Sequence, residues 1–407
     1  FTDLHHMIFD GSSMLVMIKD LERVYLGGEL EKETYSGFEV AQDEQEKRKE
    51  SYEEARKWYL DTFGGIEVDS LPIPDRNEKE MSFGARSMEL ALEASEVEAL
   101  CRKYGVTENI YATAAFGILL GLYAGMNEAL FTTIYNGRDS LRTRRTIGML
   151  VKTLPVYSRF EKEQEVRDYL LKAKEQMLSC MNNDIYPFSE LSAETGMTSG
   201  LLFVYQGDAL NVGGFAGEPV ERIPLMDNAT GEQLAIQMYK QEGTYNIRAE
   251  YRSDMYSEEF INILLRSYET VLQRILTAET VGEISICSYR EIERLKELNR
   301  TETDYDRTRS VVDLFKEAAG RYPDNIAVIY EDEECTYKEA DRISDNIAAY
   351  IEKQGLKRGD VVSILIPRGI YQVVASLGAL KAGCAYQPLD ATYPPERLNF
   401  MIEDASA

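Results

Sequence analysis

Residues 295–309 (LKELNRTETDYDRTR) are polar, charged and nearly free of large aliphatics. A stretch of that composition cannot bury enough apolar surface to join a core, so it reads as an interdomain linker and divides the chain in two. Beyond it, over 310–407, the pattern predicts a strand at 326–330, a helix at 336–354, a buried strand at 361–366, a helix at 371–382 and a strand at 385–389. That β-α-β-α-β alternation opens a parallel, doubly wound layer.

Before the linker the rhythm is different. Phe1 to Leu4 reads as a strand end, and 12–26 as a helix with apolar residues at Leu15, Ile18, Leu21 and Val24, capped by Asp10 or Ser12. Residues 41–60 give a solvated helix with one buried edge, and Pro72 and Pro74 mark a loop, so a first segment spans 1–80 and a second 81–294. Within the second, 109–125 is an apolar helix with Gly117, Gly121 and Gly125 on one face, a spacing that in a soluble chain allows close backbone approach. Strands are expected at 129–135, 148–157, 201–206, 234–239 and 245–251, helices at 163–181 and 257–277, and a turn at Thr198-Ser199-Gly200. Short strands mixed with helices make this part α/β as well.

The chain carries 45 basic and 70 acidic side chains, a formal charge of −25, with no lysine- or arginine-rich block. Such a surface repels phosphate backbones and anionic lipid, which argues against nucleic-acid and membrane partners. The longest apolar stretch, 112–126, is too short for a membrane span, and the first residues lack a signal-peptide pattern. Cys101, Cys180, Cys287, Cys335 and Cys384 are scattered, so no metal or disulfide framework is expected and a cytoplasmic location is.

Only two histidines occur, and they are neighbours: His5 and His6. Imidazole, with an ordinary pKa near 6.5, is the side chain best suited to take a proton at neutral pH. In His5-His6-Met7-Ile8-Phe9-Asp10-Gly11 the second histidine ends the expected strand and Asp10-Gly11 opens a helix. Helix N-termini offer free N–H groups and partial positive charge to a developing oxyanion, and Gly11 permits close approach. The same residues would equally serve a core histidine beside a helix cap, and chemistry alone leaves the two open.

The segment from Leu4 to Ser13 resembles the HHxxxDG motif of nonribosomal peptide synthetase condensation domains, which belong to the chloramphenicol acetyltransferase-like acyltransferases. Tyr35-Ser36-Gly37-Phe38, Asn136-Gly137-Arg138, Ile147 to Pro155 (IGMLVKTLP) and Asn183 to Phe188 (NDIYPF) are similar to further family segments, in the family's order. After the linker, Cys335 to Ala340 (CTYKEA) and Leu380 to Asp390 (LKAGCAYQPLD) resemble the first core segments of adenylation domains. The implied fold is a condensation fold, with its first lobe largely missing and its second lobe complete, joined to a partial doubly wound α/β adenylation subdomain.

The resemblance implies amide formation between a donor acyl or peptidyl thioester and an acceptor aminoacyl thioester. Both are carried on phosphopantetheine arms of peptidyl carrier domains, upstream donor and downstream acceptor. His6 would orient or deprotonate the amine, His5 support its placement, Asp10 hold the turn, and the Gly11 amide steady the oxyanion. Ser13, Arg138, Lys152 and Tyr186 are carried over as lining the substrate tunnel. The arginine that pairs with the motif aspartate would lie in the missing lobe, with Arg138 as a substitute, and Lys152 replaces the family's asparagine. No phosphate loop, ribose-binding aspartate or catalytic lysine of adenylation domains is found, so no ATP site is expected and the adenylation part is expected to be inactive alone. Epimerisation of a carrier-bound aminoacyl thioester and non-catalytic carrier docking are the alternatives.

Overall fold

The computed structural model describes residues 4–138, 140–198, 200–207, 214–220, 231–241 and 243–407. Of the expected strand end at Phe1 to Leu4 only Leu4 is among them, and Ser199 of the expected turn at Thr198-Ser199-Gly200 lies outside them. The chain divides into two compact units, Phe1–Asn299 and Arg300–Ala407.

The first unit begins with helices α1 (Gly11–Tyr25) and α2 (Gly37–Phe63). There follow β1 (Phe83–Glu93), α3 (Ala94–Tyr104), α4 (Glu108–Tyr123), β2 (Glu128–Tyr135), β3 (Lys152–Arg159), α5 (Val166–Asn182) and α6 (Phe188–Thr195). Strands β4 (Leu201–Gly207), β5 (Leu234–Gln241) and β6 (Thr244–Arg252) and helices α7 (Glu258–Ile275) and α8 (Tyr289–Leu298) complete it. The six strands form one mixed sheet in the order β1-β6-β5-β4-β2-β3. Strands β5, β4 and β2 run parallel, while β1 with β6, β6 with β5 and β2 with β3 pair antiparallel.

Sequence pattern accounts for this placement. In β6, Tyr245, Ile247, Ala249 and Tyr251 are buried and their neighbours are not, the period-2 signature of a half-covered sheet. Helix α7 lays Ile261, Leu264, Leu265, Tyr268, Val271 and Leu272 along one stripe. Helix α4 is buried all round from Ile110 to Gly121 and is the axle of the core. Buried hydroxyls pin it: Tyr111 donates to the Leu272 carbonyl at 2.7 Å, Tyr268 to Ala112 at 2.8 Å and Tyr169 to Ala114 at 2.9 Å. No single helix among the described residues is long and apolar enough to cross a membrane; the bent pair α3 and α4 is so only by length and composition.

The glycine face of α4 meets β3 and the chain after it. A Cβ on Gly117 would stand 2.5 Å from the Ser158 side chain, and one on Gly121 2.9 Å from the Phe160 ring. Gly125, at φ +66°, instead lies just past the helix end, with open space around it. Gly117→Ala is therefore expected to destabilise the first unit by about 1–3 kcal/mol through overpacking, read as a lower urea midpoint. An unchanged midpoint would show that β3 can retreat.

Two expectations shift. The strand predicted to start at 148 starts at Lys152, because the backbone at Gly148 and Leu150 is engaged by Ser13 and Asp10. Leu295 to Leu298, expected as linker, end α8, which Ser288 and Glu291 start with a capping box.

The second unit holds α9 (Val311–Arg321), β7 (Ile326–Tyr330), β8 (Glu333–Thr336), α10 (Tyr337–Lys353), β9 (Val361–Ile364), α11 (Ile370–Lys381), β10 (Ala385–Pro388) and α12 (Pro395–Asp404). β9 and β10 pair in parallel around α11, the expected crossover. β7 does not join them: it forms an antiparallel hairpin with β8, turned by Glu331 at φ +52°. The Lys381 side chain, 2% exposed, ties α11 to α10 through Asp345 at 2.8 Å and Asp341.

Candidate active site

Asp10 caps α1. Its Oδ1 accepts from the Ser13 amide and the Ser13 hydroxyl, both at 2.8 Å, satisfying part of the helix's open first turn. The carboxylate then does a second job. Arg138, just past β2, donates Nη1 to Oδ2 at 2.8 Å and Nη2 to Oδ1 at 2.9 Å, a two-pronged pair. The Leu150 amide adds a bond to Oδ2 at 3.0 Å.

The pair is sealed from solvent, with side-chain exposure of 5% for Arg138 and 0% for Asp10. Burial raises the Asp10 pKa, but the bonds from Arg138, Ser13 and Leu150 outweigh it and hold the carboxyl below its ordinary value. Through Nη1 and Nη2 the guanidinium also donates to the carbonyls of Asn136 at 3.2 Å and Thr146 at 3.1 Å, while its buried Nε has no partner among the described residues. Ser13 Oγ bridges onward, accepting from the Gly148 amide at 3.0 Å and lying 2.9 Å from the Gly148 carbonyl. Thr146 donates to the Tyr35 carbonyl at 2.7 Å. The start of α1, the end of β2 and the approach to β3 are thus one hydrogen-bonded knot.

This corrects the expected location of the aspartate's partner: it is Arg138, within this chain. Arg138 and Ser13 are consumed by the knot. Sequence reasoning missed Thr146, Gly148 and Leu150 in it. Two glycines carried the signal, since Gly37 and Gly148 let their backbones meet: a Cβ on Gly37 would come 3.0 Å from the Ile147 carbonyl.

The two histidines stand just ahead of the cap. His5 precedes a turn over His6 to Ile8, closed by the Ile8 amide to the His5 carbonyl at 3.1 Å, where a strand end was expected. His5 Nδ1 accepts from the Met7 amide at 3.1 Å, which occupies that ring nitrogen. Both rings are exposed, and His6 has no hydrogen bond recorded among the described residues. Met7 and Ile8 form one wall of a cleft of about 820 Å³, whose other walls include Tyr35, Gly37, Gly148 and Met149.

Lys152 and Tyr186 lie in a different cleft, of about 580 Å³. Lys152 Nζ pairs with Glu44 at 2.6 Å and Asp184 at 3.1 Å. The Tyr186 ring is buried against Tyr52 and Tyr59, and its hydroxyl donates to Glu194 at 2.9 Å; burial and that bond push its pKa up. Tyr186 therefore braces α2 against α6. Among the described residues no group of three or more His, Cys, Asp or Glu is placed to hold a metal ion.

A family model described as Condensation domain matches residues 1–295, and one described as AMP-binding enzyme matches 315–407. Gramicidin S synthase 2 of Brevibacillus brevis is 27% identical over 421 residues, 99% of this chain and 9% of that protein. Tyrocidine synthase 2 of Brevibacillus parabrevis is 25% identical over 431 residues, 100% of this chain and 12% of that protein. The chain thus spans about a tenth of the length of these relatives. Among solved structures, a four-domain nonribosomal peptide synthetase bound to AMP and glycine aligns with a TM-score of 0.64 at 20% identity, over 99% of this chain and 33% of that one. The first condensation domain of the CDA synthetase aligns with a TM-score of 0.55 at 18% identity, over 70% of this chain and 65% of that one. These likenesses establish the shared fold.

Proposed function

The chain belongs to the condensation domain family through residues 1–295, and from that premise we propose that it joins a donor acyl or peptidyl thioester to an acceptor aminoacyl thioester on a nonribosomal peptide synthetase. The observation that carries this reading is the Asp10–Arg138 knot, which fixes the start of α1 directly behind the histidine turn. A catalytic imidazole needs such fixing, because misplacement by 1 Å forfeits much of the gain from orientation.

Both thioesters arrive as substrates on the phosphopantetheine arms of carrier domains. His6, whose ring is open to solvent, accepts a proton from the acceptor's α-ammonium or hydrogen-bonds the free amine. The amine nitrogen attacks the donor's thioester carbonyl carbon, forming the C–N bond and moving the carbonyl π pair onto oxygen. The Ser13 and Met14 amides are taken by Asp10, which leaves the Gly11 and Ser12 end of α1 to face that oxyanion. Collapse restores the carbonyl and breaks the C–S bond. The sulfur leaves as a thiolate and takes up the proton shed by the attacking nitrogen, and any proton His6 first drew from the ammonium passes to solvent. His5 holds the turn through Met7. Arg138 and Ser13 act by positioning, not by touching substrate. Residues 315–407 are read as the opening of an adenylation domain in cis.

The test supplies the chain with a donor acyl-carrier thioester and an acceptor aminoacyl-carrier thioester, and follows the acceptor by mass spectrometry. Transfer of the donor acyl group to the acceptor is expected. Exchange of the α-proton in deuterated water with no acyl transfer would replace this reading with epimerisation.

A further inference from the structure

Lys152 is a cation where burial makes an unpaired charge costly. Its side chain is 24% exposed, and its inner partner, Asp184, only 11%. Asp184 is shared, since its second oxygen takes Lys47 at 3.1 Å. Two lysines thus divide one partly buried carboxylate, and the balance is made up by Glu44 of α2, which is 46% exposed and 2.6 Å from Lys152 Nζ. Burial alone would lower the Lys152 pKa, yet the carboxylates raise it, so the ammonium persists through neutral pH. It borders the cleft of about 580 Å³, whose apolar lining includes Ala41, Val151, Pro187 and Phe188. The cleft is near the knot: the Leu150 amide binds Asp10, and the two residues from there to Lys152 span at most about 7 Å.

We propose that Lys152 is a specificity residue: the cleft takes the side chain of an aminoacyl group that ends in a carboxylate, which displaces Glu44 from Lys152 Nζ. This deepens the condensation reading and rests on it. Exchanging one carboxylate for another leaves the cluster neutral and returns Glu44 to water, where its exposed position costs it little. The apolar lining covers the methylenes of the incoming chain. A carboxamide of the same shape cannot replace the lost charge, so it is rejected.

The test titrates the full chain with two isosteric probes, the glutamyl and glutaminyl thioesters of N-acetylcysteamine, by calorimetry. The glutamyl probe is expected to bind at least ~10-fold more tightly, a difference of about 1.4 kcal/mol. Lys152→Asn should abolish the preference. Glu44→Gln should strengthen glutamyl binding several-fold, because the internal competitor has lost its charge, and its exposed site keeps the test valid if Lys152→Asn fails to fold. Equal affinity for both probes in the unaltered chain and in Glu44→Gln overturns the specificity role and leaves the condensation reading standing. Binding of neither probe, nor of the alanyl thioester, counts against both.

Discussion

Replacing His6 by alanine is expected to lower the rate of amide formation by roughly 10²–10⁴-fold, the usual contribution of a positioned acid–base side chain. Stability should hardly change. The ring is exposed and has no hydrogen bond recorded among the described residues, so the folding cost belongs with ordinary surface substitutions, within about 0.5 kcal/mol. That separation makes the experiment decisive: single-turnover transfer between loaded carriers is followed alongside a thermal melt. His5→Ala serves as the comparison, since it removes only the ring's bond to the Met7 amide and should reduce the rate less. Normal acyl transfer by the His6 variant, with the carriers fully loaded, would remove it from the mechanism.

Arg138→Met is expected to cost about 3–5 kcal/mol of folding stability, the penalty for leaving one member of a buried ion pair alone. The Asp10 carboxylate would remain fully enclosed, with only the Ser13 and Leu150 donors. Asp10→Asn strands the guanidinium instead, and the double variant should lose less than the two single losses combined, because the partners are coupled. The pH dependence has a definite sign. Asp10 binds its proton less readily folded than unfolded, so its contribution is complete above the unfolded carboxyl pKa of about 3.9 and fades as pH falls through the lower folded value. Urea midpoints measured from pH 6 down to pH 3 should show that acid loss in the unaltered chain and a smaller one in Arg138→Met. Equal midpoints for the two proteins at pH 6 would mean that the knot stabilises nothing.

The sequence made some of this legible and hid the rest for physical reasons. Helix α1 and its Asp10 cap follow from a short-range code in which an acidic residue before an apolar-periodic run satisfies open amides. Most strands of the first unit announced themselves by alternation, as β6 does. Hairpin β7–β8 did not, because its turn places Glu331, not glycine or asparagine, at positive φ. Nor did the true start of β3, where Ser13 and Asp10 claim the backbone that local propensity assigns to a strand. Arg138 was singled out only through resemblance, and Glu44 not at all. Partners that meet through tertiary contact leave no mark on the intervening chain.

The separation of Asp10 from Arg138 also has a consequence in time. They are 128 residues apart in sequence, and the Leu150 amide lies 140 residues beyond Asp10. At a synthesis rate of about 5–20 residues per second, the histidine turn emerges on the order of ten seconds before the arginine that will seal its cap. During that interval Asp10 lacks its Arg138 partner, and α1, at 15 residues, has little helical stability of its own. The wait extends further, because β2, which leads to Arg138, takes β4 as its parallel neighbour and β4 is made later still. Substitutions deep in the sheet are therefore expected to lower the fraction of new chains that close the Asp10–Arg138 pair.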